Sequence, residues 1–270
     1  MEDKLTRTNL LLNHLRRGFE EASIAECFDI ALENYSNILV ISPHSDDEVI
    51  GCGGIISHFA KSNCEVTVLI VTEEGSRSIS KSSKSNPGLR VDECKKVKEK
   101  LAYHSLYNLG FKELELQRDP NSQKELRKTI LNLLENINPQ ALFIPNGMDV
   151  HPDHRTINTI VNDILKEKLE PGYINNLEHI FTYEVWSPVK MNYFFCLNDN
   201  NIKLKKECLS QYQTQLETVD YLSIIDFINK LRAEQLKAEG FVPQIIEYAE
   251  AYSLAERKSY YRATHLNNAN

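Results

Sequence analysis

The sequence predicts an α/β fold of the Rossmann-like, three-layer kind, built on a mostly parallel sheet. Three observations predict it. Short continuous apolar runs, among them Ile38-Leu39-Val40-Ile41, Val66 to Thr72 and Ala141 to Pro145, have the length and character of strands buried on both faces. Between them lie stretches whose apolar residues recur at threes and fours, the period of amphipathic helices. The alternation of the two implies parallel strands joined by helical crossovers.

Taken in order, residues 4–34 read as helix, with Leu11, Leu12, Leu15, Phe19, Ala22, Ile24, Ala25, Phe28 and Leu32 at helical spacing. They form an N-terminal extension, residues 1–35, ahead of an α/β core over residues 36–200. The first strand is followed by a turn and a small-residue helix through Ile55, Ile56, Phe59 and Ala60. After the second strand, residues 73–89 are rich in Ser, Lys, Gly and Pro and read as a long loop at its carboxyl end, where substrate-covering loops lie. A helix from about Val91 to Tyr103 leads to a short strand near Leu106 to Leu109. A further helix, about Gln123 to Asn136, precedes the fourth strand, Ala141 to Pro145. A helix over about Arg155 to Lys168 then leads to strands at Ile180 to Trp186 and Met191 to Leu197. Residues 201–270 read as a mostly helical C-terminal region. With no repeat and no linker, residues 1–270 are expected to make a single domain.

Composition narrows the function. The 270 residues are 41% hydrophobic and 26% charged, enough for a sizeable core. A net charge of −7 argues against nucleic-acid binding, which would leave a clustered basic excess. The local cluster Lys95, Lys96, Lys98 and Lys100 reads as the solvated face of a helix. None of the six cysteines forms a Cys-x-x-Cys pair, so buried free thiols in a reducing compartment are expected rather than a disulfide framework. The N-terminal residues lack a signal-peptide core, and no run approaches the roughly 18 apolar residues of a membrane span. A cytoplasmic location is expected.

Two segments carry the chemistry, and each follows a buried strand directly: Pro43-His44-Ser45-Asp46-Asp47-Glu48, and Gly147 through Asp149 to His151-Pro152-Asp153-His154. In a sheet of order 3-2-1-4-5, strands 1 and 4 are neighbours at the topological switch point, and ligands bind beyond their carboxyl ends. The two segments are therefore expected to meet. Two imidazoles and a carboxylate with an open position suit catalytic zinc, whereas magnesium favours oxygen donors alone. Of two adjacent Asp residues, one can hold the ion while the other takes a proton from water bound to it. His151 can serve as general acid or oxyanion donor, oriented by Asp153. Each segment alone also has a simpler reading, as a helix cap: Asp46-Asp47-Glu48 for the next helix, Asp153 for a helix beginning near Arg155. Their joint placement after neighbouring strands favours the metal. Two rivals stand beside it, a non-catalytic metal- or sugar-binding protein and a magnesium phosphohydrolase using Asp46, Asp47 and Asp149.

Pro-His-Ser-Asp-Asp-Glu after a first strand, with Gly51, Gly53 and Gly54 following and His-Pro-Asp-His after a later strand, resembles the LmbE-like (PIG-L) family of zinc-dependent N-deacetylases. Over roughly residues 36–260 the resemblance adds Arg90-Val91-Asp92-Glu93, Tyr183 to Trp186 and Lys205 to Gln215. It implies His44, Asp47 and His154 as ligands of Zn2+ or another divalent metal, and Asp46 as general base. It further implies His151 as the oxyanion or amine partner, with Asp153 behind it, and Arg90 near the substrate. The implied substrate is a small-molecule N-acetyl amino sugar or glycoside. Ser45 stands where the family usually has Pro, and Glu113 occupies the Asp position of a Leu-Gly-x-x-Asp segment. Cys52 reads as a small packing residue rather than a ligand.

Overall fold

The computed structural model describes residues 4–19, 26–73, 87–168 and 174–256. The chain runs α1 (Lys4–Phe19), β1 (Phe28–Asp29), a 3-10 turn (Ile30–Leu32), β2 (Asn37–Ser42), α2 (Asp47–Lys61), β3 (Glu65–Glu73) and α3 (Pro87–Leu101). It continues through β4 (Ser105–Lys112), α4 (Pro120–Ile137), β5 (Ala141–Pro145), α5 (Pro152–Lys168), β6 (His179–Tyr183) and β7 (Tyr193–Leu197). The last elements are α6 (Asp199–Leu209), α7 (Gln213–Leu216), α8 (Tyr221–Ala238) and β8 (Tyr248–Glu256).

Among the described residues, eight strands form one sheet in the order β1-β7-β8-β6-β5-β2-β3-β4. The stretch β4-β3-β2-β5-β6 is parallel throughout and is the expected 3-2-1-4-5 order. Three layers follow from strand alternation. Ile38, Val40, Val66, Val68 and Ile70 face one helical layer, where Val49, Ile55, Ile56 and Phe59 of α2 pack with α6 and α8. Their sequence neighbours Leu39, Ile41, Leu69 and Val71 face the other, built from Leu126, Ile130 and Leu134 of α4 and Ile157, Val161 and Ile164 of α5. Because β2 pairs in register with β5 (Ile38 opposite Ala141), the loops leaving their carboxyl ends lie side by side.

The structure departs from expectation in four places. Helix does not run through residues 26–34: Phe28 and Asp29 pair with β7 instead, and Asp29 caps the 3-10 turn by accepting a hydrogen bond from Ala31 N. Residues 20–25, and residues 74–86 of the expected Ser/Lys-rich loop, lie outside the described residues, and α3 already begins at Pro87. The strand expected to reach Trp186 ends at Tyr183. The largest departure is β8, which pairs antiparallel with both β6 and β7 inside a region that reads as helical. Its sequence, Tyr-Ala-Glu-Ala-Tyr-Ser-Leu-Ala-Glu, is rich in helix formers, and two open strand edges override that preference. Among the described residues, no helix is long and apolar enough to cross a membrane.

Candidate metal centre

The loop from Ser42 into α2 is held tightly. Thr72 donates from its backbone N (2.9 Å) and its hydroxyl (2.8 Å) to Pro43 O, and Ser42 Oγ donates to His44 O at 2.7 Å. Asp46, at the start of α2, adopts φ 118°, a strained conformation for a residue with a Cβ, and makes no capping bond. Its backbone N donates to Glu48 Oε2 at 3.0 Å, and Tyr212 donates to the other Glu48 oxygen. Glu48 therefore serves as the internal brace of the turn. Burial pushes its carboxyl up to about 7, against the lowering effect of the Tyr212 hydrogen bond.

Three donor atoms converge at this turn. His44 Nδ1 lies 2.9 Å from Asp47 Oδ2, His154 Nε2 lies 3.1 Å from the same oxygen, and the two nitrogens are 3.3 Å apart. Donors held about 2.0–2.1 Å from one tetrahedral ion stand roughly 3.4 Å from each other, so the three atoms are spaced as ligands of a single ion. His44, His151 and His154 also form a group whose ligand atoms all lie within 4.8 Å of one another. Asp47 Oδ1 and Asp46 Oδ2 are buried without a hydrogen-bond partner. Buried polar atoms in that state call for a cation or a ligand.

The outer nitrogens explain how the rings are aimed. His44 Nε2 faces Asp153 Oδ2 at 3.3 Å, and His154 Nδ1 faces Asp149 Oδ2 at 3.5 Å. A carboxylate behind each imidazole holds the proton on the outer nitrogen and turns the inner lone pair towards the centre. Asp149 is itself anchored by His151 N (2.8 Å) and Trp186 N (3.0 Å). Asp153 therefore does not orient the His151 ring through its carboxylate, as the sequence suggested. It sits in the first turn of α5 with that carboxylate turned to His44 and Leu114 N (2.8 Å), and only its backbone N meets His151 Nδ1, at 3.3 Å. The His151 partner is Glu113, whose Oε1 lies 3.7 Å from His151 Nε2. Because Nδ1 accepts from Asp153 N, the His151 proton belongs on Nε2, facing Glu113.

The charges reinforce one another. Burial opposes protonation of His44 and His154, but the Asp47 charge and the carboxylates behind the rings more than offset it and raise both imidazoles. Burial works against the Asp47 carboxylate as well, and His154 and His44 hold it far below the usual carboxylate range. Asp46 goes the other way, raised first by burial and then by the adjacent Asp47 charge. The neighbouring His151 imidazole lowers Glu113.

These groups line a cavity of about 280 Å³, where polar His44, Asp46, Asp47, Glu113, His151 and Gln215 are joined by Leu11, Val150, Trp186, Val219 and Tyr221. Arg90 is not part of the lining. It donates to Gln215 Oε1 at 3.1 Å, and Gln215 Nε2 donates to Ser45 O at 3.3 Å. Cys52 is fully buried and burial pushes its thiol well up, so it is neither nucleophile nor ligand. Three residues escaped the sequence reading. Asp149 was considered only as an oxygen ligand for magnesium, Gln215 was noted only within a longer segment, and Leu11 was seen only as a helix residue. Asp149 alone left a signal, its place in the same loop as the histidines.

Comparison with known proteins agrees with the geometry. Residues 39–165 match the family described as PIG-L, GlcNAc-PI de-N-acetylase. The diacetylchitobiose deacetylase of Thermococcus kodakarensis is 32% identical over 124 residues, 44% of this chain and 45% of that protein. The chain spans about half the length of the curated relatives it matches. In structure, the N,N'-diacetylchitobiose deacetylase of Pyrococcus horikoshii superposes with a TM-score of 0.66 at 19% identity, over 93% of this chain and 90% of that one. GalB, the 4-carboxy-2-hydroxymuconate hydratase of Pseudomonas putida, reaches the same TM-score of 0.66 at 16% identity, over 82% of this chain and 96% of that one. Fold alone thus spans more than one reaction, and the match to the PIG-L family model lies within residues 39–165, which hold both histidine segments.

Proposed function

We propose that this chain is a divalent-metal-dependent N-deacetylase that hydrolyses the acetamide of an N-acetylated amino sugar or glycoside, releasing acetate and a free amine. The observation that carries the reading is the convergence of His44 Nδ1, Asp47 Oδ2 and His154 Nε2 at 2.9, 3.1 and 3.3 Å beside the unpartnered Asp46 Oδ2 in the cavity wall. Two imidazoles and a carboxylate favour zinc among the divalent metals. The ion, when bound, polarises the amide carbonyl and lowers the pKa of a bound water from about 15.7 to roughly 7.

The remaining work falls to the chain. Asp46, buried and held in a strained turn by Glu48, accepts the proton lost by the attacking water. His151, which lines the cavity, donates its Nε2 proton in a hydrogen bond to the developing oxyanion, and Asp46 passes the proton it took from water to the departing amine. Water adds to the carbonyl carbon, the C–N bond breaks, and the water's protons end on the amine. Asp153 and Asp149 keep His44 and His154 aimed. Arg90 acts on the substrate side by fixing Gln215. The magnesium phosphohydrolase reading loses support because the Asp149 carboxylate is committed to His151 N and Trp186 N and faces His154.

The test is release of acetate and free amine from a panel of N-acetyl amino sugars and their glycosides by protein supplied with zinc. Turnover of at least one member is expected; inactivity across the whole panel would favour a non-catalytic binding protein of the same fold.

A further inference from the structure

Beside its polar catalytic groups the cavity has an apolar wall, Leu11, Val150, Trp186, Val219 and Tyr221, brought together from four separate parts of the chain. Leu11 belongs to α1, ahead of residues 39–165, and α1 is hydrogen-bonded to two segments that line the cavity. Thr8 is buried and its hydroxyl oxygen accepts a hydrogen bond from Asp220 N at 3.0 Å, next to Val219 and Tyr221. His14 Nε2 meets Ser187 Oγ at 3.4 Å, and that hydroxyl also accepts from Val150 N at 3.2 Å. The helix is thus tied directly to the segments that carry Val219 and Tyr221 and that carry Trp186, and through Ser187 to Val150.

A pyranose can lay its C–H face on one aromatic ring, and the Trp186–Tyr221 pair, with centroids 5.3 Å apart, is sufficient for that. Leu11, Val150 and Val219 add aliphatic surface on which a sugar hydroxyl would find no partner, and burying an unpaired hydroxyl is unfavourable. A cavity of about 280 Å³ takes one sugar ring with a compact substituent rather than a longer oligosaccharide.

We infer that Leu11 is a specificity-determining residue, and that the wall it completes receives an alkyl or aryl substituent carried by the amino sugar. The inference rests on the deacetylase reading for its choice of sugar, but the wall can be tested separately. Two quantities are measured on the full-length, zinc-supplied protein. One is the ratio of kcat/KM for phenyl N-acetylglucosaminide to that for N-acetylglucosamine. The other is the ratio of Kd values for phenyl glucosaminide and glucosamine. Both ratios should favour the phenyl compound by about tenfold or more, since even one methylene in an apolar pocket is worth about tenfold. Leu11→Ala should bring both down to about threefold or less. Leu11→Asn, which keeps the length and adds polarity, should do the same. Ratios near one in the parent protein, or ratios unchanged in both variants, would overturn the inference. A binding preference that depends on Leu11 without any turnover would uphold the wall and instead sink the deacetylase reading.

Discussion

At the scale of single residues, the centre is defined by pairs of neighbours given opposite tasks. Asp47 and Asp46 are adjacent, yet two imidazoles draw the first into a stable carboxylate while burial leaves the second inclined to take a proton. Replacing Asp46 with Asn should therefore lower kcat by about 10²–10⁴-fold, the range of general acid–base assistance, while metal content measured on the purified variant stays near one ion per chain. Loss of metal together with activity would make Asp46 a ligand rather than a base. Asp149 stands behind the cavity lining and faces His154 Nδ1 at 3.5 Å. Its replacement by Asn should weaken metal affinity about 10–100-fold, with rescue of turnover at high metal concentration. A merely structural role would lower stability without that rescue. Sequence alone supplied the identities of His44, Asp46, Asp47, His151 and His154, because loops after adjacent parallel strands must meet. It misassigned Asp153, since which ring a carboxylate reaches depends on where the first turn of α5 points it.

At the scale of elements, the centre depends on how closely α2 lies on the sheet. A Cβ on Gly51 would come within 2.2 Å of Cδ2 of Tyr183, whose hydroxyl donates to Ile41 O at 2.8 Å in the strand that ends at the centre. Gly51→Ala should thus destabilise the fold by about 1–3 kcal/mol, as overpacking does, read as a lower midpoint in urea unfolding. An unchanged midpoint would mean that α2 can retreat without consequence. The same helix is locked from its other side. Glu250 of β8 accepts from Gly54 N (2.8 Å), Ile55 N (3.0 Å) and the fully buried Lys205 (2.7 Å). That lock was invisible in the sequence, because Glu250 lies in a segment of helix formers and becomes a strand residue only between β6 and β7.

At the scale of the whole molecule, strand alternation divides the core into two faces, and the switch between β2 and β5 leaves a crevice that four chain regions then close. The crossover pattern, the parallel order of five strands and the position of the crevice were all legible, since buried parallel strands declare themselves as apolar runs. The far edge of the sheet and the N-terminal helix beside the cavity were not, because both depend on contacts between residues distant in sequence, such as Phe28 with Tyr193 and Thr8 with Asp220. The central claim is that the assembled crevice works only as a metal site. It is tested most directly by measuring acetate release from a turned-over N-acetyl glycoside before and after removal of metal by a chelator, and again after zinc is restored. The account predicts a fall of at least about 10³-fold on removal and recovery on restoration, given the large share of the barrier that a metal centre supplies. Full activity in verified metal-free protein would contradict it.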